Sequence, residues 1–261
     1  MTTAANINSI IGYPYAGNAN NTTDGGLAVE VATATSGYVP RIAVGTEISV
    51  IDPYWGGMTL VRLKIATGTS LSVGNVVTWD HNFQAATLAG SAANTAQYLA
   101  FSNSFIPSNA TYVQYAWFQI SGTAPVLSTG SVGATSKFFS SATAGKLTGT
   151  VTAGQQIVAL VSRATSATTV VKANTTTQSG STVLRLSVVP DGWFVGLPLS
   201  GTGIAASTTI TGIDADNRTV TMSNAATASG SVTVTGTYND GGTNHWNIGV
   251  FNRCYQQGQI T

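Results

Sequence analysis

Asp80-His81 sets a carboxylate beside an imidazole, the pairing that orients a catalytic base in hydrolytic triads. On a strand, adjacent side chains point to opposite faces. These two would then not share one site, and a loop or turn position is the favoured reading. The other histidine, His245, precedes Trp246 and has no acid next to it. Asp214-Ala215-Asp216-Asn217 has the acidic alternation of calcium loops but lacks the downstream Gly and Glu that complete one. A hairpin turn capped by Asp and Asn side chains is the simpler reading. The serines include no Gly-x-Ser-x-Gly elbow. Gly201 and Gly203 lie in a β pattern and open no helix, so a nucleotide loop is excluded. The nine acids are scattered, and nothing local pairs two of them for glycan cleavage. The single cysteine, Cys254, excludes an intrachain disulfide and a cysteine-based zinc site. It reads as an inert buried thiol or a surface accident. No catalytic, metal-binding or cofactor-binding residue is assigned. Tyr54-Trp55, in the turn Asp52-Pro53-Tyr54-Trp55-Gly56-Gly57, would suit a glycan or a protein hot spot if exposed. The competing reading is a loop folded over the edge of the core.

The surface that must carry such residues is made of hydroxyls. Charged residues are 7% of the 261, against about 25% in an ordinary domain. There are 40 Thr, 25 Ser and 29 Gly. Hydrophobic residues are 43%, enough for a real core, and this is not a disordered composition. The net charge of +1 leaves no basic face for nucleic acid and little protection against self-association. No run approaches 18 apolar residues, so no membrane helix is expected. Met1-Thr2-Thr3-Ala4-Ala5-Asn6 lacks the basic and apolar segments of a signal peptide. The expectation is a soluble protein made in a cytoplasm and not exported by the common route.

The elements predicted are strands. Residues 1–28 read as an extended arm, with the apolar patch Ile10, Ile11, Tyr13, Pro14 and Tyr15 ahead of a turn-prone Asn/Thr/Gly stretch. That patch can pack on its own domain or on another subunit. Residues 29–174 read as a small β-barrel or β-sandwich, with 239–261 supplying a returning strand. In it, 58–65 alternates as a half-buried strand, while 112–120 and 156–162 read as covered central strands. Val76 to Trp79 is another strand, and 91–101 fits either a short helix or a strand at Gln97–Phe101. Leu71-Ser72-Val73-Gly74-Asn75-Val76-Val77 and Val151-Thr152-Ala153-Gly154-Gln155-Gln156-Ile157 repeat one pattern. Each predicts a tight turn with Gly at positive φ leading into a buried strand. Residues 175–238 read as a second, inserted or appended β module. It holds strands at 182–189, 207–213, 218–223 and 231–237, a hairpin at Asp214–Asn217 and a bulge at Gly212. The fold class expected is all-β.

The stretches Leu71 to Val77, Gln97-Tyr98-Leu99-Ala100, Tyr115 to Gly122 and Val151 to Leu160 resemble the capsid decoration, or cement, proteins of tailed bacteriophages. Gly196-Leu197-Pro198-Leu199-Ser200-Gly201-Thr202-Gly203-Ile204, Thr208 to Thr211, Thr219 to Ser223 and Ala225 to Ala228 resemble a β module common in phage virion proteins. The resemblance implies a non-enzymatic virion protein on the outer capsid surface, synthesised in the host cytoplasm. It further implies the major capsid protein as partner, a homotrimer, and no cofactor, nucleic acid or membrane. Ile10, Ile11, Tyr13, Pro14, Tyr15, Tyr54 and Trp55 are the residues expected at a subunit or capsid contact. The alternative is a tail-fibre, spike or receptor-binding module that grips host glycan.

Overall fold

The computed structural model describes residues 29–32, 39–40, 42–52, 55–164, 168–190, 192–214 and 217–258. Among them every regular element is a strand, and the molecule is all-β with two β domains. The first carries β1 (Glu30–Val31), β2 (Glu47–Asp52), β3 (Gly56–Ile65), β4 (Val76–Trp79), β5 (Gln84–Thr87), β6 (Ala100–Ser102), β7 (Gln114–Ser128), β8 (Lys137–Ser140), β9 (Leu147–Thr148) and β10 (Gln156–Ala164). The second carries β11 (Thr169–Thr177), β12 (Val183–Arg185), β13 (Pro198–Gly201), β14 (Thr208–Asp214), β15 (Thr219–Met222) and β16 (Gly230–Thr237). The chain then returns to the first sheet as β17 (His245–Gln256).

The first sheet has 11 strands and folds around its longest one, the 15-residue β7. Along its first half β7 pairs with β3, from Gln114 opposite Ile65 to Ser121 opposite Thr59. Along its second half it pairs with β17, from Ser121 opposite Asn252 to Ser128 opposite His245. Two circuits of hydrogen-bonded strands result. One runs β7–β6–β4–β5–β3 and encloses Val61, Leu63, Ile65, Val77, Ala100 and Phe118. The other runs β7–β17–β10–β8–β9 and encloses Phe101, Val126, Phe138, Leu147, Ile157, Leu160 and Phe251. Gly122, where β7 changes partner, has φ +114°, and a Cβ there would lie 2.6 Å from the Gly57 carbonyl oxygen. Only glycine lets the two backbones pass that closely.

The repeated turn is found at both copies. Gly74 has φ 82° and leads into the buried β4. Gly154 has φ 73° and leads into β10, which is half-buried, with Ala159 and Arg163 exposed, and not the covered strand expected from sequence. The Asn75 N–H donates to the Ser72 carbonyl at 3.1 Å, and the Gln155 N–H to that of Thr152 at 3.2 Å. The Leu127 N–H packs against Gly74, 2.7 Å from where a Cβ would sit, and so ties the first turn to β7.

Strand β3 differs from the half-buried expectation. Met58, Leu60 and Arg62 face a second apolar layer, and Arg62 is 0% exposed. Val50, Met58, Leu60 and Trp117 form that layer, with Ile42, Ile48 and Trp55 against it. A lone buried guanidinium would be expensive. Here Arg62 Nη2 donates to Glu30 Oε2 at 2.7 Å, and its charge lies 5.5 Å from the Trp117 ring. Glu30 belongs to β1, so the ion pair pins the segment entering the domain onto β3 and β7. The stretch 91–101 forms turns and bridges, with strand only at its end in β6.

The second domain is a closed six-stranded barrel, β11-β12-β15-β14-β13-β16. Its strands put Leu184, Leu199, Ile210, Val220 and Val234 inside, and Thr169, Thr176, Thr211, Thr221 and Thr233 are among the residues outside. Thr suits both demands, being β-branched for the strand and polar for water. The barrel lies in sequence between β10 and β17, which are hydrogen-bonded neighbours in the first sheet. It begins at Thr169, because β11 pairs with β16 along its length. The expected strand at 182–189 narrows to β12, and the expected bulge at Gly212 appears as a register shift between Ile210 and Gly212. The barrel is seated on the parent sheet by Trp246 and Ile248 of β17, with Val73 and Leu127, in one continuous core with Phe194, Leu197 and Tyr238.

Candidate functional site

The groups most able to do chemistry are tied into the fold. The carboxylates whose side chains are described are Glu30, Glu47, Asp80, Asp214 and Asp240. Glu30 holds Arg62. Glu47 accepts from both guanidinium nitrogens of Arg253, at 3.0 and 2.5 Å, and that hydrogen bonding keeps its carboxyl below the ordinary range. Asp80 accepts the N–H groups of Gln84 and Asn82 and is also held low, by the Gln84 N–H first. Asp214 accepts the backbone N–H of Asn217 at 2.9 Å and its amide at 2.7 Å, which is the Asx-capped hairpin predicted from sequence. Asp240 is pushed up by partial burial. The N–H groups of Gly242 and Asn244 and the Asn244 amide outweigh this and hold it low. Carboxylates held low stay ionised and bonded, the reverse of a general acid, whose pKa is raised.

Of the remaining reactive types, His245 and Cys254 are engaged in the fold and His81 is exposed. His81 is exposed beside a carboxylate already engaged by backbone. His245 Nε2 lies 3.2 Å from the Gly242 carbonyl oxygen. Cys254 is fully buried, and burial pushes its thiol up to about 12. A protonated buried thiol is unreactive. Among the described residues no group of three His, Cys, Asp or Glu side chains is placed to hold a metal. A shallow cleft of about 490 Å³ along β2 and β3 is lined by Ser49, Ile51, Gly57, Thr59 and Ser121 among others, with no titratable side chain.

Of the contact residues expected from sequence, Ile10, Ile11, Tyr13, Pro14, Tyr15 and Tyr54 lie outside the described residues. Trp55 is half-buried, its ring edge-on to Tyr238 at 6.5 Å, wedged between the barrel and the β2–β3 layer. It therefore follows the reading of a loop folded over the core edge.

A different set of rings reaches the surface. Trp79 ends β4, and Tyr98 lies just before β6, the strand that pairs with β4. Their rings are 6.4 Å apart and 26° from parallel. Tyr98 also bridges to Tyr255 of β17. Cross-strand neighbours share a face, so Trp79, Tyr98 and Tyr255 form a row across three adjacent segments. Tyr98 is 64% exposed, Tyr255 39%, and Trp79 is half-buried. The row runs along a bulge, where the pairing of β10 with β17 shifts between Val158 and Leu160 and Arg253 takes φ 46°. The bulge turns Arg253 outward to Glu47, next to the rings. The sequence contains a weak trace of this row. Tyr98 and Tyr255 each adjoin a fully buried residue, Leu99 and Cys254, and so take the outward face. Their convergence depends on pairing between distant segments.

Comparison with protein-family models, with curated proteins and with solved structures gives no match for this chain.

Proposed function

We propose that this chain is a non-enzymatic structural protein of a bacteriophage virion. It is a decoration protein that binds the outer face of the capsid, contacts the major capsid protein and assembles as a trimer. One observation carries the reading. The described carboxylates are committed to ion pairs and turns, while Ile51, Tyr98, Val151, Val171 and Val188 stand exposed on an almost uncharged, hydroxyl-rich surface. Such a surface supports association, worth about 25 cal/mol per Å² of apolar area before association costs. Low charge suits a crowded lattice, where like charges would repel. The test is addition of the purified chain to shells that lack it. The expected result is saturation at a fixed stoichiometry per capsomer and a shell more resistant to heat. Failure to bind shells overturns the proposal. The second reading, a tail-fibre or spike module that grips host glycan, draws on the exposed rings and is supported if the chain binds host cells instead.

A further inference from the structure

We infer that the row Trp79–Tyr98–Tyr255 is a binding site for a neutral saccharide chain. The inference holds whether the protein sits on a shell or on a fibre. The rings of Trp79 and Tyr98 lie near parallel at 6.4 Å, and Tyr255 extends the line through its pairing with Tyr98. Aromatic faces carry negative charge density, and the C–H faces of pyranose rings present the complementary positive edge. A line of rings on a sheet face therefore matches a line of sugar rings.

The charge on this face chooses the class of ligand. Arg253 and Glu47 neutralise each other across two hydrogen bonds, so the rings carry no net field that would select a phosphate or an acidic polymer. The same pair presents planar polar edges that can bond vicinal hydroxyls while remaining joined. Gln97 and Asn252, exposed chain neighbours of Tyr98 and Arg253, add neutral donors and acceptors. A protein hot spot, by contrast, centres its aromatic residues in a closely packed apolar patch. Here the row is bordered by the Gln97 and Asn252 amides and one closed ion pair, with Val158 of β10 opposite Tyr255 and the backbone-bonded Asp80 next to Trp79 in the chain. The bulge that carries Arg253 at positive φ is the kind of local departure from regular pairing that re-aims side chains beside binding sites.

The experiment is calorimetric titration of the full chain with maltohexaose, cellohexaose and the β-1,4-linked N-acetylglucosamine hexamer. Saturable binding to one or more of these is expected. It should weaken about tenfold or more in Tyr98→Ala and in Tyr255→Ala, and persist in Tyr98→Phe, because the ring supplies the contact. Melting temperatures measured on the same samples separate lost binding from lost folding. Three outcomes overturn the inference. The first is dilution heat alone with all three probes. The second is binding that Tyr98→Ala leaves unchanged. The third is a Tyr98→Ala variant that binds no saccharide differently but no longer adds to shells, which would make the row a protein contact. Shell addition and saccharide titration are separate assays, so failure of the capsid proposal is not mistaken for failure of this one.

Discussion

Two groups of aromatic residues in this molecule have opposite environments. At the joint, Phe194 meets Tyr238 and Trp246 edge-on at 5.5 Å each, and Trp55 closes over Tyr238. Their polar tips are satisfied inside: Trp246 Nε1–H donates to the Val73 carbonyl at 2.9 Å, and the Tyr238 hydroxyl to that of Gly192 at 2.7 Å. This group fastens the barrel to the sheet that interrupts itself to make room for it. In the second group, Tyr98 and Tyr255 offer their rings to water beside a closed ion pair. The two arginine–glutamate pairs repeat the contrast, at 0% and 9% side-chain exposure for Arg62–Glu30 and 57% and 40% for Arg253–Glu47. Burial, and not residue type, separates the two groups here.

The largest effect should come from breaking the buried members. Trp246→Ala is expected to cost about 3–5 kcal/mol, because it opens a cavity shared by both domains. Thermal unfolding should show the barrel losing cooperativity with the parent sheet. Arg62→Ala breaks the buried ion pair from one side and should cost a similar amount, about 3–5 kcal/mol. Arg62→Met combined with Glu30→Leu should recover most of that loss in denaturant melts, since replacing both members of a buried pair costs less than removing one. The exposed counterparts should barely register. Arg253→Ala is expected to change stability by about 0–1 kcal/mol, and Tyr98→Ala to stay within about 0.5 kcal/mol.

Titration sharpens the same contrast with smaller effects. The carboxyls of Glu47, Asp80 and Asp240 are held low in the folded chain, so the unfolded chain binds protons first as pH falls. Stability should therefore drop as pH falls below about 4 and be flat near neutrality. At the alkaline end the sign reverses. Cys254 keeps its proton in the folded state up to about 12, against an ordinary value of 9.0. Unfolding then releases a proton, and stability should fall as pH rises through that window. At neutral pH a thiol-alkylating reagent should leave Cys254 unmodified until the protein unfolds.

What the sequence made legible was local. The Gly74 and Gly154 turns, the Asp214 hairpin and the bulge at Gly212 each depend on a few consecutive residues with one strong conformational preference. The return of β17 to the first sheet was visible because its apolar run follows the module. The long reach of β7 was hidden, because its two halves pair with strands on opposite sides of it in sequence. Arg62 looked like an outward position on a half-buried strand, since its partner Glu30 lies 32 residues away. The ring row was hidden for the same reason: alternation puts Tyr98 and Tyr255 outward, and only their bridge makes them neighbours. In its glycine-rich turn Trp55 allows two readings, an exposed ring or a loop over the core edge, and only the barrel inserted far downstream, which covers it, selects the second.

Electron cryomicroscopy of the particle that carries this chain is the most direct test. The expected result is density for the two β domains at regularly repeated positions on the outer face of the shell, grouped in threes and touching the major capsid protein. Density confined to a tail or fibre, or particles of full composition that contain none of the chain, would contradict it.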